Sequence, residues 1–135
     1  GATKKYNPDI IKEYDNFLTL LKEILIKENI YEKYEKDYQY YVLRKINTFF
    51  RKYFFAKENN AKFFMIKKEI IEMTKKEPYH TAIYNSKNMK LPRKRRIMVK
   101  CLKSKWFRIL KYMYQINKEL KNENIYESVS GTKSR

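Results

Sequence analysis

The residues with the clearest capacity for chemistry lie between 92 and 114, in the stretch PRKRRIMVKCLKSKWFRILKYMY. Arg93, Lys94, Arg95, Arg96, Lys100, Lys103, Arg108 and Lys111 supply cations there, and Trp106 and Phe107 stand among them. Guanidinium and ammonium groups bind phosphate and carboxylate oxygens through charge-assisted hydrogen bonds. Aromatic rings beside such cations suit two partners. They can sit at head-group depth on a membrane, or stack on nucleic-acid bases. Both are chemistries of anion binding, not of bond breaking. These ten residues are the candidate binding surface.

The charge distribution supports that choice. The chain of 135 residues carries 32 Lys and Arg against 15 Asp and Glu, a formal net charge of +17. A field of that sign attracts polyanions, whether nucleic acid, anionic lipid or a phosphorylated ligand. The excess is local. Between Glu77 and Glu119 there is no acidic residue, while the same window holds twelve Lys and Arg. The remainder of the chain, with 20 basic and 15 acidic groups, has an ordinary mixture of signs. Abundant Lys, Asn, Ile and Tyr are also what an A+T-rich coding sequence produces, but that bias does not explain an acid-free window.

Catalytic constellations are missing. The two glycines, Gly1 and Gly131, lie at the ends, so no glycine-rich phosphate loop exists. One cysteine, Cys101, and one histidine, His80, do not make a metal site of the Cys/His type. Neither a catalytic residue, nor a cofactor, nor a metal is expected. A single cysteine also excludes an internal disulfide and fits a reducing compartment. No run approaches the ~20 apolar residues of a membrane span, and no signal peptide is present. The opening GATKK, without Met, reads as a cloning remnant ahead of a fragment, so the domain is expected to belong to a longer protein.

Positioning the candidate surface requires helices. With two Gly and three Pro, the chain has few points at which it can turn. The expected fold is all-α: a single domain forming a four-helix, bundle-like array over residues 9–122, after a lead of residues 1–8. The first helix spans about 8–28, opened by Asn7 and Pro8 and stopped at Asn29. The second spans about 31–56, with Tyr38, Val42, Ile46, Phe49 and Phe50 on its apolar side. Asn59 and Asn60 mark the turn to a third helix at about 61–76. Residues 78–91 read as a loop. Pro92 then opens a long, strongly basic helix to about residue 122, and residues 123–135 read as a flexible tail.

The phase of that last helix divides it in two. At 100° per residue, Met98, Leu102, Trp106, Ile109, Met113, Ile116 and Leu120 fall within one stripe about 80° wide, widened by Val99 and Leu110. Arg96, Lys100, Lys103, Arg108, Lys111 and Lys118 take the opposite side. The stripe is expected to cover the aromatic faces of the first three helices, leaving the cations to a partner.

The order of segments carries a resemblance. YEKYEKDYQYYVLRKINTFFRKYFF is followed by FFMIKKEIIEMTKKEPYH, a short connection, and LPRKRRIMVKCLKSKWFRILKYMYQINKEL. Over about residues 9–120 this resembles the helical region that follows the catalytic domain in bacterial family-2 glycosyltransferases of capsular and other surface polysaccharides. The resemblance implies a non-catalytic accessory domain, with the nucleotide-sugar site elsewhere in the parent protein. It implies a peripheral location on the cytoplasmic face of the membrane, where a phosphorylated lipid-linked acceptor would be met, or a role in self-association. A nucleic-acid-binding domain and a module for an acidic protein partner are the alternatives that the basic surface leaves open.

Overall fold

The scarcity of turn-forming residues is realised as helix over most of residues 6–116, the part of the chain that the computed structural model describes. Helices α1 (Ile10–Lys27), α2 (Tyr31–Phe49), α3 (Phe63–Lys75), α4 (Tyr79–Asn85), α5 (Arg93–Ser104) and α6 (residues 107–116) succeed one another, and no strand occurs among the described residues. The fold is all-α and bundle-like, but the bundle has more pieces than the periodicity indicates.

Helix α1 begins two residues later than expected, with Asp9 and not Asn7 at its N-cap and Pro8 in the turn before it. Asn7 accepts the Asp9 N–H at 3.0 Å, an Asx turn that delivers the chain to α1. Asn29 ends α1 with φ 63°, and the N–H of Ile30 reaches the Leu25 carbonyl at 3.0 Å, a Schellman closure. Asn59 serves both sides of its turn. Its amide donates to the Tyr53 carbonyl at 2.9 Å, and its Oδ1 accepts the Ala61 N–H at 3.1 Å.

Helix α2 is the central element and packs against α1, α4 and α5. Val42, Leu43, Ile46 and Phe49 are fully buried along it. At its end the run FFRKYFF must bury four phenylalanines within seven residues, more than one face of an α-helix can hold. Residues Phe50–Phe54 therefore widen into a π-turn, closed by the Phe55 N–H to the Phe50 carbonyl at 3.0 Å. The wider turn brings Phe54 and Phe55 to the same side, each with its ring centroid 5.4 Å from that of Phe50.

Residues 78–91 differ from the expected loop. Tyr79–Asn85 is α4, and Ser86–Asn88 continues as a 3-10 turn. Tyr79, Ala82, Ile83 and Ser86 are buried at helical spacing. Two of the four are small, so the period carries little hydrophobic contrast and is weak in the sequence. Tyr79 closes the core by packing edge-on against Phe49, with centroids 5.7 Å apart, and donating its hydroxyl to Asp15.

The expected basic helix of residues 92–122 is also different. It stops at Ser104, and α6 begins two residues later in a new direction. Residues 117–122 of that expected helix and the tail 123–135 lie outside the described residues, as do residues 1–5 of the N-terminal lead.

Buried tyrosines give the fold an alkaline limit. Burial pushes Tyr38 up to about 12, and burial together with the hydrogen bond to Glu69 pushes Tyr53 up to about 12. Burial likewise raises Tyr79, with the Asp15 hydrogen bond adding to it, and Tyr114. Each folded-state value lies above the ordinary value of 10.0, so the neutral phenol favours folding. That stability is fully present below pH 10 and is lost as pH rises towards 12. The urea midpoint, followed by circular dichroism, is expected to hold up to about pH 10 and then fall. Tyr38→Phe should flatten the fall, because the phenylalanine has no proton to lose.

Candidate membrane-docking surface

Lys105 is the residue that shapes this surface. It adopts φ 59° and ψ 35°, a left-handed conformation uncommon outside Gly and Asn. The Trp106 N–H donates to the Cys101 carbonyl at 2.9 Å and the Lys105 N–H to the Leu102 carbonyl at 3.4 Å. These two bonds form a Schellman motif, which closes α5 and turns the chain into α6.

The break changes which side chains meet the core. Along α5, Met98, Val99, Cys101 and Leu102 are buried as their phase predicts. Beyond the break the inward set is Phe107, Leu110 and Tyr114, all buried. Tyr114 lies 5.3 Å from the Phe50 ring and donates its hydroxyl to Asn47 on α2. Trp106 is 48% exposed, Ile109 54% and Tyr112 67%. The expected core stripe is thus corrected over its second half. Trp106 and Ile109 face outward, with Met113 and Ile116 half-buried beside them.

Phe107 needs the opposite correction. Placed among the surface-binding aromatics from the sequence, it is 3% exposed and belongs to the core cluster. A continuous helix would have left it on the basic side. The left-handed residue two positions earlier rotates it inward.

The cations fall into three groups. Arg93, Arg96 and Lys100, at i, i+3 and i+7, are exposed on the outward face of α5, and Lys94 is exposed beside them. Ile97, 41% exposed, stands in their midst. A second group is held on aromatic rings. The Arg108 guanidinium is 4.7 Å from the centroid of Phe63 on α3, and Lys111 Nζ is 5.4 Å from the same ring. Lys103 Nζ lies 5.5 Å from the Tyr84 ring of α4. Arg95 stands apart: it is half-buried, and its Nη1 is buried without a hydrogen-bond partner among the described residues. Arg95 therefore belongs to the inner side of α5 and not to its outward face.

Sequence reasoning missed the aliphatic part of this surface. Ile97 and Ile109 signal themselves only as apolar residues between cations, a pattern that a core stripe also produces. Tyr84 was hidden in the supposed loop.

Other groups do not assemble into reactive sites. His80 Nδ1 is 3.7 Å from Glu77 Oε2, both side chains are more than half exposed, and the ring lies tilted with its centroid 4.8 Å from that of Tyr84. Cys101 is buried, and burial pushes its thiol up, away from the reactive thiolate. An open groove of about 430 Å³, lined by Pro8, Ile11, Tyr53, Met65 and Met73 among others, holds Tyr53 bonded to Glu69 at 2.7 Å. With Tyr53 held neutral, the groove has no activated phenolate. Among the described residues no cluster of His, Cys, Asp or Glu could hold a metal ion, and no helix is long and apolar enough to cross a membrane.

Two substitutions test this geometry. Phe107→Ala should lower unfolding free energy by about 3–5 kcal/mol, whereas Ile109→Ala should change it by no more than about 0.5 kcal/mol. A single continuous helix would reverse that order, and urea titration distinguishes the two. Lys105→Gly should raise stability by about 1 kcal/mol, since glycine removes the Cβ penalty of the left-handed conformation.

Comparisons of the chain with protein-family models, with curated proteins and with solved structures found no match.

Proposed function

We propose that the α5–α6 surface docks this domain reversibly on an anionic membrane. One observation carries the reading: the break at Lys105 leaves Trp106, Ile109 and Tyr112 exposed on α6, directly after a helix whose Arg93, Arg96 and Lys100 are exposed. Exposed large apolar side chains next to an acid-free cationic face suit the boundary between head groups and acyl chains. Each cation near an anionic leaflet contributes about 1 kcal/mol, and the rings and aliphatic chains bury apolar area. Ile97 and Ile109 favour lipid over nucleic acid, because an aliphatic side chain enters the acyl region but offers no ring to stack on a base.

In the wider reading the domain serves as a non-catalytic accessory region of a glycosyltransferase of surface polysaccharide synthesis, peripheral to the cytoplasmic face of the membrane. There the same cations would meet the phosphate of a lipid-linked acceptor. This part rests on the resemblance in segment order and texture.

Co-sedimentation with neutral vesicles, with vesicles containing anionic phospholipid, and with vesicles containing a polyprenyl phosphate tests the proposal. Binding is expected to the two anionic kinds only, weakened by added salt, with a blue shift of the emission of Trp106, the single tryptophan. Replacing Arg93, Arg96 and Lys100 together by Gln should weaken binding by about a hundredfold. Preference for polyprenyl phosphate over phospholipid of equal charge would favour the acceptor role. Equal binding to neutral and anionic vesicles would sink the proposal. So would tight salt-dependent binding to labelled DNA or RNA, or to an acidic protein in a pull-down, with none to vesicles.

A further inference from the structure

The apolar face of α1 is wider than α2 can cover. Ile10 and Leu18 are buried, but Phe17, Leu20 and Ile24, at i, i+3 and i+7, are each about half exposed. On α2 the ring of Tyr41 reaches Phe17, with centroids 6.3 Å apart, and Tyr34, two turns before Tyr41, is exposed as well. The result is a continuous exposed apolar patch on the α1–α2 hairpin, separate from the docking surface, since α5 packs on α2 and α4.

We propose that this patch binds a second copy of the same chain, with the two α1 helices antiparallel across a two-fold axis at Leu20. The charges of α1 make the patch self-complementary. Glu13 and Lys27 are both exposed and lie seven residues to either side of Leu20, on the same stripe because seven residues make nearly two turns. A two-fold axis at Leu20 sets Leu20 against its own copy and Glu13 against Lys27 of the second copy, with Phe17 and Ile24 of the second copy meeting one residue out of register, about 1.5 Å. The Glu13–Lys27 pair forms twice, as an isologous interface requires. Glu13 keeps an oxygen for it, since Oε1 accepts from Asn7 at 3.2 Å and Oε2 is the other carboxylate atom.

The overall charge favours the same face. Two copies at +17 repel one another, and the hairpin is where that repulsion is least. From the start of α1 to the end of α2, residues 10–49 hold seven acids (Glu13, Asp15, Glu23, Glu28, Glu32, Glu35, Asp37) and seven bases (Lys12, Lys22, Lys27, Lys33, Lys36, Arg44, Lys45), a local net of zero.

Glu13 in the first turn and Lys27 in the last also suit the dipole of α1 itself, so the test must separate effects within a copy from effects between copies. Sedimentation velocity without lipid is expected to reveal a concentration-dependent dimer. Glu13→Lys alone and Lys27→Glu alone should each raise the dimer dissociation constant by about tenfold, through two reversed ion pairs. Mixing the two variants should restore association, because the mixed dimer regains both opposite-charge pairs. A dipole effect would not be repaired by mixing. Oxidation of Leu20→Cys should trap a disulfide dimer, whereas Ile26→Cys, as exposed as Leu20 but on another face of α1, should not. Circular dichroism checks that each variant is folded.

A monomer at every concentration, no rescue on mixing, or equal trapping at positions 20 and 26 would overturn the inference. A monomer whose vesicle binding falls on Leu20→Lys would give the patch to the membrane instead. The readouts need no lipid, so this dimer stands or falls independently of membrane docking.

Discussion

At Lys105 the backbone turns left-handed, and the hydrogen bonds from Trp106 to Cys101 and from Lys105 to Leu102 close α5 at that point. Which side chains of α6 face outward depends on this turn. It allows Phe107, Leu110 and Tyr114 to cover Phe50 and its neighbours at the end of α2. It also leaves Trp106, Ile109 and Tyr112 with no part in the core. A left-handed lysine is unfavourable by itself. It persists because burying Phe107, Leu110 and Tyr114 gains several times what the strained residue loses.

The π-turn of Phe50–Phe54 is the partner of that break. By gathering Phe50, Phe54 and Phe55 on one side of the chain, it builds the aromatic floor on which Tyr114 rests. Two local departures from regular α-helix thus answer one packing problem. The short helix α4, with Tyr79 against Phe49 and bonded to Asp15, closes the core from another side. Tyrosines do much of this work. Their rings bury apolar area while their hydroxyls find a carbonyl, a carboxylate or an amide oxygen.

Charge follows a simpler plan than packing. The charge-balanced hairpin of α1 and α2 and the acid-free region of α4 to α6 differ in character. Several cations of the second region are steadied by rings, Arg108 and Lys111 on Phe63 and Lys103 on Tyr84. Such contacts orient a charge without neutralising it, so the surface keeps its positive field. Both the proposed docking surface and the α1 patch join exposed apolar groups to charged ones.

The helical class, the courses of α1 to α3 and the stop at Asn29 were legible in the sequence, because they rest on near-neighbour effects: an amphipathic period, an Asx turn, a left-handed Asn. So was the concentration of cations, which needs only counting. The break at Lys105 was not legible. Residues 106–116 carry two apolar arcs, one through Trp106, Ile109 and Met113 and the other through Phe107, Leu110 and Tyr114, and periodicity alone favours the first because it continues the stripe of α5. Likewise α4 was hidden by the small side chains of Ala82 and Ser86. The sequence by itself determined that the protein is helical and where its charge lies, since propensity and charge are local properties. Only tertiary packing decided which arc of α6 enters the core and which three residues of α1 stay uncovered. That choice turns on how side chains far apart in sequence fit the aromatic end of α2, and no local pattern encodes that fit.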